Sequence, residues 1–145
     1  MSNNITVILP IHEVIDNTEK YLKRAIDSVA SQSVKPKELL IITAKNKELK
    51  TLVNKFDFGE IKEITRVVEN TTKNYSFPGQ INFGVDCCKT EYFTFLEYDD
   101  ELSQIWIKNG ETYIDSYPEV GVFLPLVFEC DENGQFISFT NQNAW

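Results

Sequence analysis

The sequence predicts an α/β fold: a mostly parallel sheet with helices on both faces. Three observations carry this. Continuous apolar runs of strand length, Ile5-Thr6-Val7-Ile8-Leu9 and Leu39-Leu40-Ile41-Ile42-Thr43, lack the polar alternation of a half-exposed strand and suit strands covered on both faces. Segments with apolar residues at helical intervals separate the strands. The alternation of strand and helix, repeated along the chain, brings successive strands into a parallel sheet through helical crossovers. At 145 residues the chain can bury one real core, and residues 1–145 are expected to form a single domain.

The first strand, Ile5 to Leu9, is closed by Pro10. Asp16 and Glu19 have the spacing of a capping box, ahead of a helix that carries Tyr21, Leu22, Ala25, Ile26 and Val29 on one side. The segment Gln32 to Pro36 breaks that helix. Leu39 to Thr43 is the second strand, and Leu49, Leu52, Val53 and Phe56 form the stripe of a second helix. A third strand is expected within Ile61 to Glu69, centred on Arg66-Val67-Val68. The polar loop Asn70 to Ser76 leads into Phe77-Pro78-Gly79, where Pro suits a first helical turn. In the helix that follows, Ile81, Val85 and Cys88 are expected to share the buried face, with Gly84 permitting a close approach. Tyr92 to Leu96 is the fourth strand. Ser103 is the expected cap of a helix bearing Trp106, Tyr113, Ile114 and Tyr117, ended by Pro118. Val120 to Phe128 is expected as a fifth strand, interrupted by Pro125. Asp131-Glu132-Asn133-Gly134 signals a hairpin turn that returns through Phe136 to Phe139.

Composition narrows the function. Apolar residues make up 42% and the net charge is −8, an excess of acid that repels polyphosphate backbones and argues against nucleic-acid binding. No run approaches the roughly 18 apolar residues of a membrane span. The opening MSNNITVILPIHE has neither a basic n-region nor a long apolar h-region, so the expected location is cytoplasmic. Three cysteines, Cys87, Cys88 and Cys130, with no CxxC pair and one His, disfavour a zinc site and are expected to be buried and reduced. Neither GxGxxG nor GxxxxGK[ST] occurs, against a dinucleotide Rossmann site and a P-loop.

In parallel sheets ligands bind beyond the carboxyl ends of the strands. The segments that matter are therefore Pro10 to Glu13, Thr43 to Lys47, Asn70 to Gly79, and Glu97 to Glu101. The last holds four carboxylates within Phe95-Leu96-Glu97-Tyr98-Asp99-Asp100-Glu101. Glu97 and Asp99, one residue apart past a strand end, can face one crevice and hold a hard divalent cation that keeps several waters. Such a cation binds a diphosphate and neutralises the charge of its departure. The stretch alone also describes a solvated acidic turn before a helix, whose positive N-terminal end favours Asp99, Asp100 and Glu101.

The segments ITVILPIHE, YLKRAIDSVASQSVKPKELLII, QINFGVDCCKTEYFTFLEYDDE and SYPEVGVF, in this order and spacing, resemble the family 2 glycosyltransferases. Their fold is the Rossmann-like GT-A nucleotide-diphospho-sugar transferase fold. The resemblance implies that Pro10, Ile11 and His12 line a nucleotide-base pocket with Glu13 and Thr43 beside them, and that Asn82 sits on the helix flanking the nucleotide. It places Glu97 and Tyr98 near the ribose and diphosphate, and makes Asp99 the metal ligand together with Glu97. The implied donor is a UDP- or GDP-linked sugar with Mn²⁺ or Mg²⁺, and the implied reaction is an inverting transfer to an unspecified acceptor.

Four positions depart from the family pattern. Thr43-Ala44-Lys45-Asn46 stands where one or two Asp are usual, Glu97 where the metal motif begins with Asp, Ile81 where an Arg is common, and His12 where an aromatic is usual. Inverting transfer needs a general base, which in this family lies with the acceptor site. Glu129, Asp131 and Glu132 read as hairpin residues, so the base is expected outside this chain, as is the acceptor-binding half. The alternative expectation is a non-catalytic nucleotide-sugar-binding or scaffold module of the same fold. An exposed sheet edge leaves room for a homo-oligomer.

Overall fold

The computed structural model describes residues 4–140. The first three positions of the MSNN segment and residues 141–145 lie outside the described residues. The elements are β1 (Ile5–Ile11), α1 (Thr18–Ala30), β2 (Glu38–Thr43), α2 (Lys47–Lys55), a 3₁₀ turn (Gly59–Ile64), β3 (Thr65–Glu69), α3 (Phe77–Cys87), β4 (Tyr92–Phe95), α4 (Trp106–Ser116), β5 (Phe128–Cys130) and β6 (Phe136–Phe139). Four strands form a sheet in the order β3-β2-β1-β4, and every pairing in it is parallel. β5 and β6 form a separate antiparallel pair.

The continuous apolar runs exist because both faces of β1 and β2 are covered. Val7, Leu9, Ile11, Leu39 and Ile41 pack on one face against Leu22, Ala25, Ile26 and Val29 of α1, Leu49 of α2 and Ile107 of α4. Ile8, Leu40 and Ile42 pack on the other against Ile81, Phe83 and Cys87 of α3. Each fully buried side chain of this size contributes about 1.5–3 kcal/mol relative to exposure. The helices thus lie on both faces, as the sequence predicts, with three on one side and α3 alone on the other.

Gly84 makes the α3 contact possible. A Cβ at that position would lie 2.6 Å from Ile8 Cγ2 and 3.2 Å from Ile42 Cγ1. The helix is turned from the predicted face: Gly79, Gln80 and Gly84 are buried, Ile81 and Cys87 pack at the margin, Val85 is exposed, and Cys88 is the C-cap. The small residue, not the largest ones, decides which side meets the sheet.

Other local expectations are corrected. No capping box forms at Asp16; Asn17 is the N-cap, left-handed at φ 66° and without a side-chain bond, while Thr18 Oγ1 accepts from the Ile15 N–H at 2.8 Å. Ile61 belongs to the 3₁₀ turn, and β3 begins only at Thr65. Ser103 does not cap α4 through its side chain; its carbonyl accepts from Trp106 N at 2.9 Å, and the N-cap is Ile105. The predicted fifth strand is reduced to Phe128–Cys130. Pro125 lacks the N–H a ladder needs, and residues 121–127 hold no strand, leaving Val122, Leu124 and Leu126 74%, 89% and 80% exposed. The hairpin turn is as expected, with Gly134 at φ 79° and its N–H donating to Asp131 O at 2.9 Å. All three cysteines are free, but none is buried: Cys87 and Cys88 are partly exposed and Cys130 is exposed.

Candidate functional site

Parallel pairing brings the carboxyl ends of the strands to one edge. Pro10 pairs with Ile42 and Ile11 with Thr43 at the β1–β2 junction, and Thr43 pairs with Glu69 of β3. Pro10, Ile11 and Thr43 are buried, whereas His12 and Glu13 emerge into solvent with His12 Nε2 and Glu13 Oε1 3.1 Å apart. On the other side β1 runs in register with β4 from Ile5↔Tyr92 to Ile8↔Phe95, and Leu96 N donates to Ile8 O at 2.9 Å.

A turn then reverses the chain, with Asp100 N donating to Glu97 O at 3.1 Å. Tyr98 packs against the core. Its hydroxyl is held above the usual phenol range by burial, and further by the charges of Asp99 and Glu13. The influence of Glu13 on Tyr98 brings the end of β1 and the acidic turn into one neighbourhood.

Glu97, Asp99 and Asp100 are all exposed residues. Loss of water nevertheless raises the Glu97 carboxyl above its usual range, and the charges of Asp100 and Asp99 raise it further. Asp100 is raised by burial and then by Asp99. A cation beside Glu97 and Asp100 would favour their ionised forms. Among the described residues no three His, Cys, Asp or Glu side chains converge as a preformed metal cage. Mg²⁺-type sites are commonly built from one or two carboxylates completed by water and substrate phosphates, and the all-oxygen set Glu97 and Asp99 fits that pattern. Arg24 of α1, which the sequence reading missed, closes the far side: its Nη2 pairs with Glu101 Oε1 and its Nη1 donates to Glu132 O at 3.0 Å. One guanidinium thus joins the acidic turn to the β5–β6 hairpin.

A second feature missed from the sequence lies under β1. Asn70, at the end of β3, is fully buried and Gln80 of α3 is 1% exposed. Gln80 Nε2 donates to Ile11 O at 3.0 Å, and Asn70 Nδ2 donates to Gln80 Oε1 at 2.9 Å. A single Gln within a helical stretch gives no sign in sequence that its amide is buried. Asn82 is exposed, near the middle of α3. Beside Thr43 lies a hollow of about 210 Å³ lined by Thr43, Lys50, Val53, Asn54, Val67 and Glu69. A larger hollow of about 430 Å³, lined in part by Lys37, Glu38, Thr65 and Arg66, sits at the amino ends of β2 and β3, away from the predicted residues.

The family model for "Glycosyl transferase family 2" matches residues 6–142. The chain belongs to this family. It is 25% identical over 108 residues to the glycosyltransferase GlyA of Streptococcus pneumoniae serotype 4, covering 74% of this chain and 14% of that protein. It is 26% identical over 96 residues to an uncharacterized glycosyltransferase of Rickettsia typhi, covering 66% of this chain and 27% of that one. Among solved structures it resembles S. aureus TarS 1-349, with TM-score 0.59 and 18% identity over 84% of this chain and 38% of that one. The same TarS fragment solved with UDP gives a TM-score of 0.58 at 19% identity, and with UDP-GlcNAc 0.57 at 19% identity. This likeness establishes the GT-A fold for the family 2 chain, which spans well under half the length of each of these relatives. Among the described residues no helix is long and apolar enough to cross a membrane.

Proposed function

We propose that residues 1–145 form the donor-binding unit of a metal-dependent, inverting glycosyltransferase that takes a UDP- or GDP-linked sugar. The observation that supports this most is the shared edge: β1, which leads into Pro10–Glu13, pairs in parallel with β4, which leads into the acidic turn Glu97–Asp100, in a family 2 chain. In this reading Pro10 and Ile11 form an apolar wall for the base, with His12, Glu13 and Thr43 offering polar contacts around it, and Asn82 stands on the helix that flanks the nucleotide. Glu97 and Tyr98 lie toward the ribose and diphosphate. Glu97 and Asp99 would hold Mn²⁺ or Mg²⁺, which when bound supplies positive charge against the diphosphate as it leaves. Asp100 keeps the local field negative enough to retain the cation. No described residue is assigned as the general base for the acceptor hydroxyl, which this reading places in an acceptor-binding part outside these 145 residues.

Ligand linkage tests the reading. A nucleotide that binds only the folded protein adds about 2.7 kcal/mol of stability at 100 times its Kd. UDP or GDP with Mn²⁺ should therefore raise the melting temperature, and Asp99→Ala should abolish the rise without lowering the melting temperature of the free protein. If no nucleoside diphosphate shifts the transition with metal present, a non-catalytic module of the same fold is the better account. A rise that survives Asp99→Ala would show the metal assignment to be wrong.

A further inference from the structure

The amide pair Gln80–Asn70 lies outside the residues placed around the donor, yet it joins three of the loops that would hold one. Its atoms leave a single consistent arrangement. Asn70 Oδ1 accepts from the Thr72 N–H at 2.8 Å and from Thr72 Oγ1 at 2.7 Å. Its Nδ2 must then supply both remaining bonds, to Asn74 O at 2.9 Å and to Gln80 Oε1 at 2.9 Å. With its oxygen so engaged, Gln80 turns Nε2 to Ile11 O at 3.0 Å, an acceptor that also receives the Ala44 N–H at 3.0 Å. A backbone carbonyl can only accept, so a flip of either amide would set oxygen against oxygen or nitrogen against nitrogen.

The backbone bonds complete the connection. Asn70 N donates to Thr43 O at 2.8 Å, so the ends of β1, β2 and β3 and the first turn of α3 are held as one piece. The loop from Asn70 to Ser76 is fixed from within: Asn74 Oδ1 accepts from Ser76 N at 3.3 Å and from Ser76 Oγ at 2.7 Å. Gly79 leaves the space that the Asn74 side chain fills, since a Cβ there would lie 2.4 Å from Asn74 Cγ. Buried polar groups fully satisfied in this way fix one local geometry, because every alternative strands a donor or acceptor in a dry site.

We infer that Gln80 is a positioning residue: through Asn70 and Ile11 it sets the separation between the Pro10–Glu13 segment and the Asn70–Ser76 loop, and with it the slot that receives the base of a nucleoside diphosphate. This rests on the function proposed above. It assigns Gln80 to the base end of the ligand, so disturbing it should act on the nucleoside and spare the pyrophosphate held at Glu97 and Asp99.

The test is calorimetric titration of the whole chain with two probes, UDP in the presence of Mn²⁺ and Mn²⁺-pyrophosphate, well below the unfolding temperature. Gln80→Met keeps the length of the side chain and removes both bonds. It is expected to weaken UDP about tenfold, comparable to the low end of the loss seen when a partner that orients a metal ligand is removed, and to leave pyrophosphate unchanged. Thr72→Val, which removes the hydroxyl bond to Asn70 and the longer bond that the same oxygen accepts from Asn74 N at 3.3 Å, is expected to shift UDP in the same direction by less, and carries the test if Gln80→Met does not fold. Unchanged UDP affinity in the folded variants overturns the inference. An equal loss for both probes also overturns it, since that is the mark of general destabilisation. If the wild-type chain binds no nucleoside diphosphate, the proposed function fails first and the inference falls with it.

Discussion

Replacing Gly84 by alanine sets two effects of known sign against each other. In an unencumbered helix interior the change would stabilise by about 0.8–1.0 kcal/mol, because alanine loses less backbone freedom on folding. Here the new methyl would sit 2.6 Å from Ile8 Cγ2, well inside contact distance, and 3.2 Å from Ile42 Cγ1. Both neighbours are fully buried and belong to strands held on either side, so neither can retreat without moving the sheet. Overpacking of this kind typically costs about 1–3 kcal/mol. An approach of 2.6 Å to a fully buried atom belongs in the upper part of that range, about 2–3 kcal/mol, so the steric effect wins and the net loss should be about 1–2 kcal/mol, or roughly 3–8 °C in melting temperature for a chain of this size. Thermal and urea unfolding measure it, the latter expected to shift in midpoint with little change in slope. Pairing Gly84→Ala with Ile8→Ala should lose less than the two changes summed, by about 0.5–3 kcal/mol, since the second makes room for the first. A Gly84→Ala protein as stable as the wild type, or more so, would refute the close α3–β1 contact.

Other parts of the chain give separate tests. Glu111 is 3% exposed, its Oε1 has no hydrogen-bond partner among the described residues, and burial above all raises its carboxyl from an ordinary value near 4.5. A raised folded-state pKa means the folded form holds the proton more tightly. Stability should therefore fall as pH climbs from that ordinary value through the raised one, and remain lower above it. Glu111→Gln should raise the melting temperature at about pH 8 and not at about pH 4; the same gain at both would remove burial of the charge as the cause. Leu22→Ala should destabilise by roughly 2–5 kcal/mol, because Leu22 is fully buried under the sheet; a loss below 1 kcal/mol (about one methylene's worth) would mean that α1 is not seated there. Asn46 caps α2 by accepting from Glu48 N at 2.8 Å and Leu49 N at 3.2 Å, so Asn46→Ala should cost about 1 kcal/mol in denaturant unfolding, and no change would show the cap to be idle.

What could be read from sequence divides along physical lines. β1 and β2 were legible because burial on both faces leaves an unbroken apolar run that few other structures need. The acidic turn was legible because four carboxylates follow directly on an apolar run, although β4 itself is an edge strand whose Phe93 and Phe95 are exposed. The segment Val120 to Phe128 misled for the opposite reason: it has the apolar content of a strand, but pairing requires a neighbour, and composition is silent about neighbours. The face of α3 misled because Gly84 contributes nothing to an apolar stripe, although its lack of a side chain sets the contact with Ile8. Asp16 and Asn17 are both plausible caps by composition, and the left-handed turn at Asn17 is a backbone choice. Gln80 and Asn70 were invisible since polar residues are normally read as surface; their burial depends on finding each other ten positions apart. Arg24 likewise gains its meaning only from Glu101 and the hairpin carbonyl of Glu132.

The strand order has a consequence for how the chain is made. Of these strands β1 is made before the others, yet it lies between β2 and β4, and its partner in β4 follows it by 87 residues, as in Ile8↔Phe95. At a synthesis rate of about 5–20 residues per second, one flank of the most apolar strand stays open for roughly 4–17 s during translation. For that interval the nascent chain offers an unpaired ribbon that chaperones, or a neighbouring nascent chain on the same message, can engage before β4 arrives.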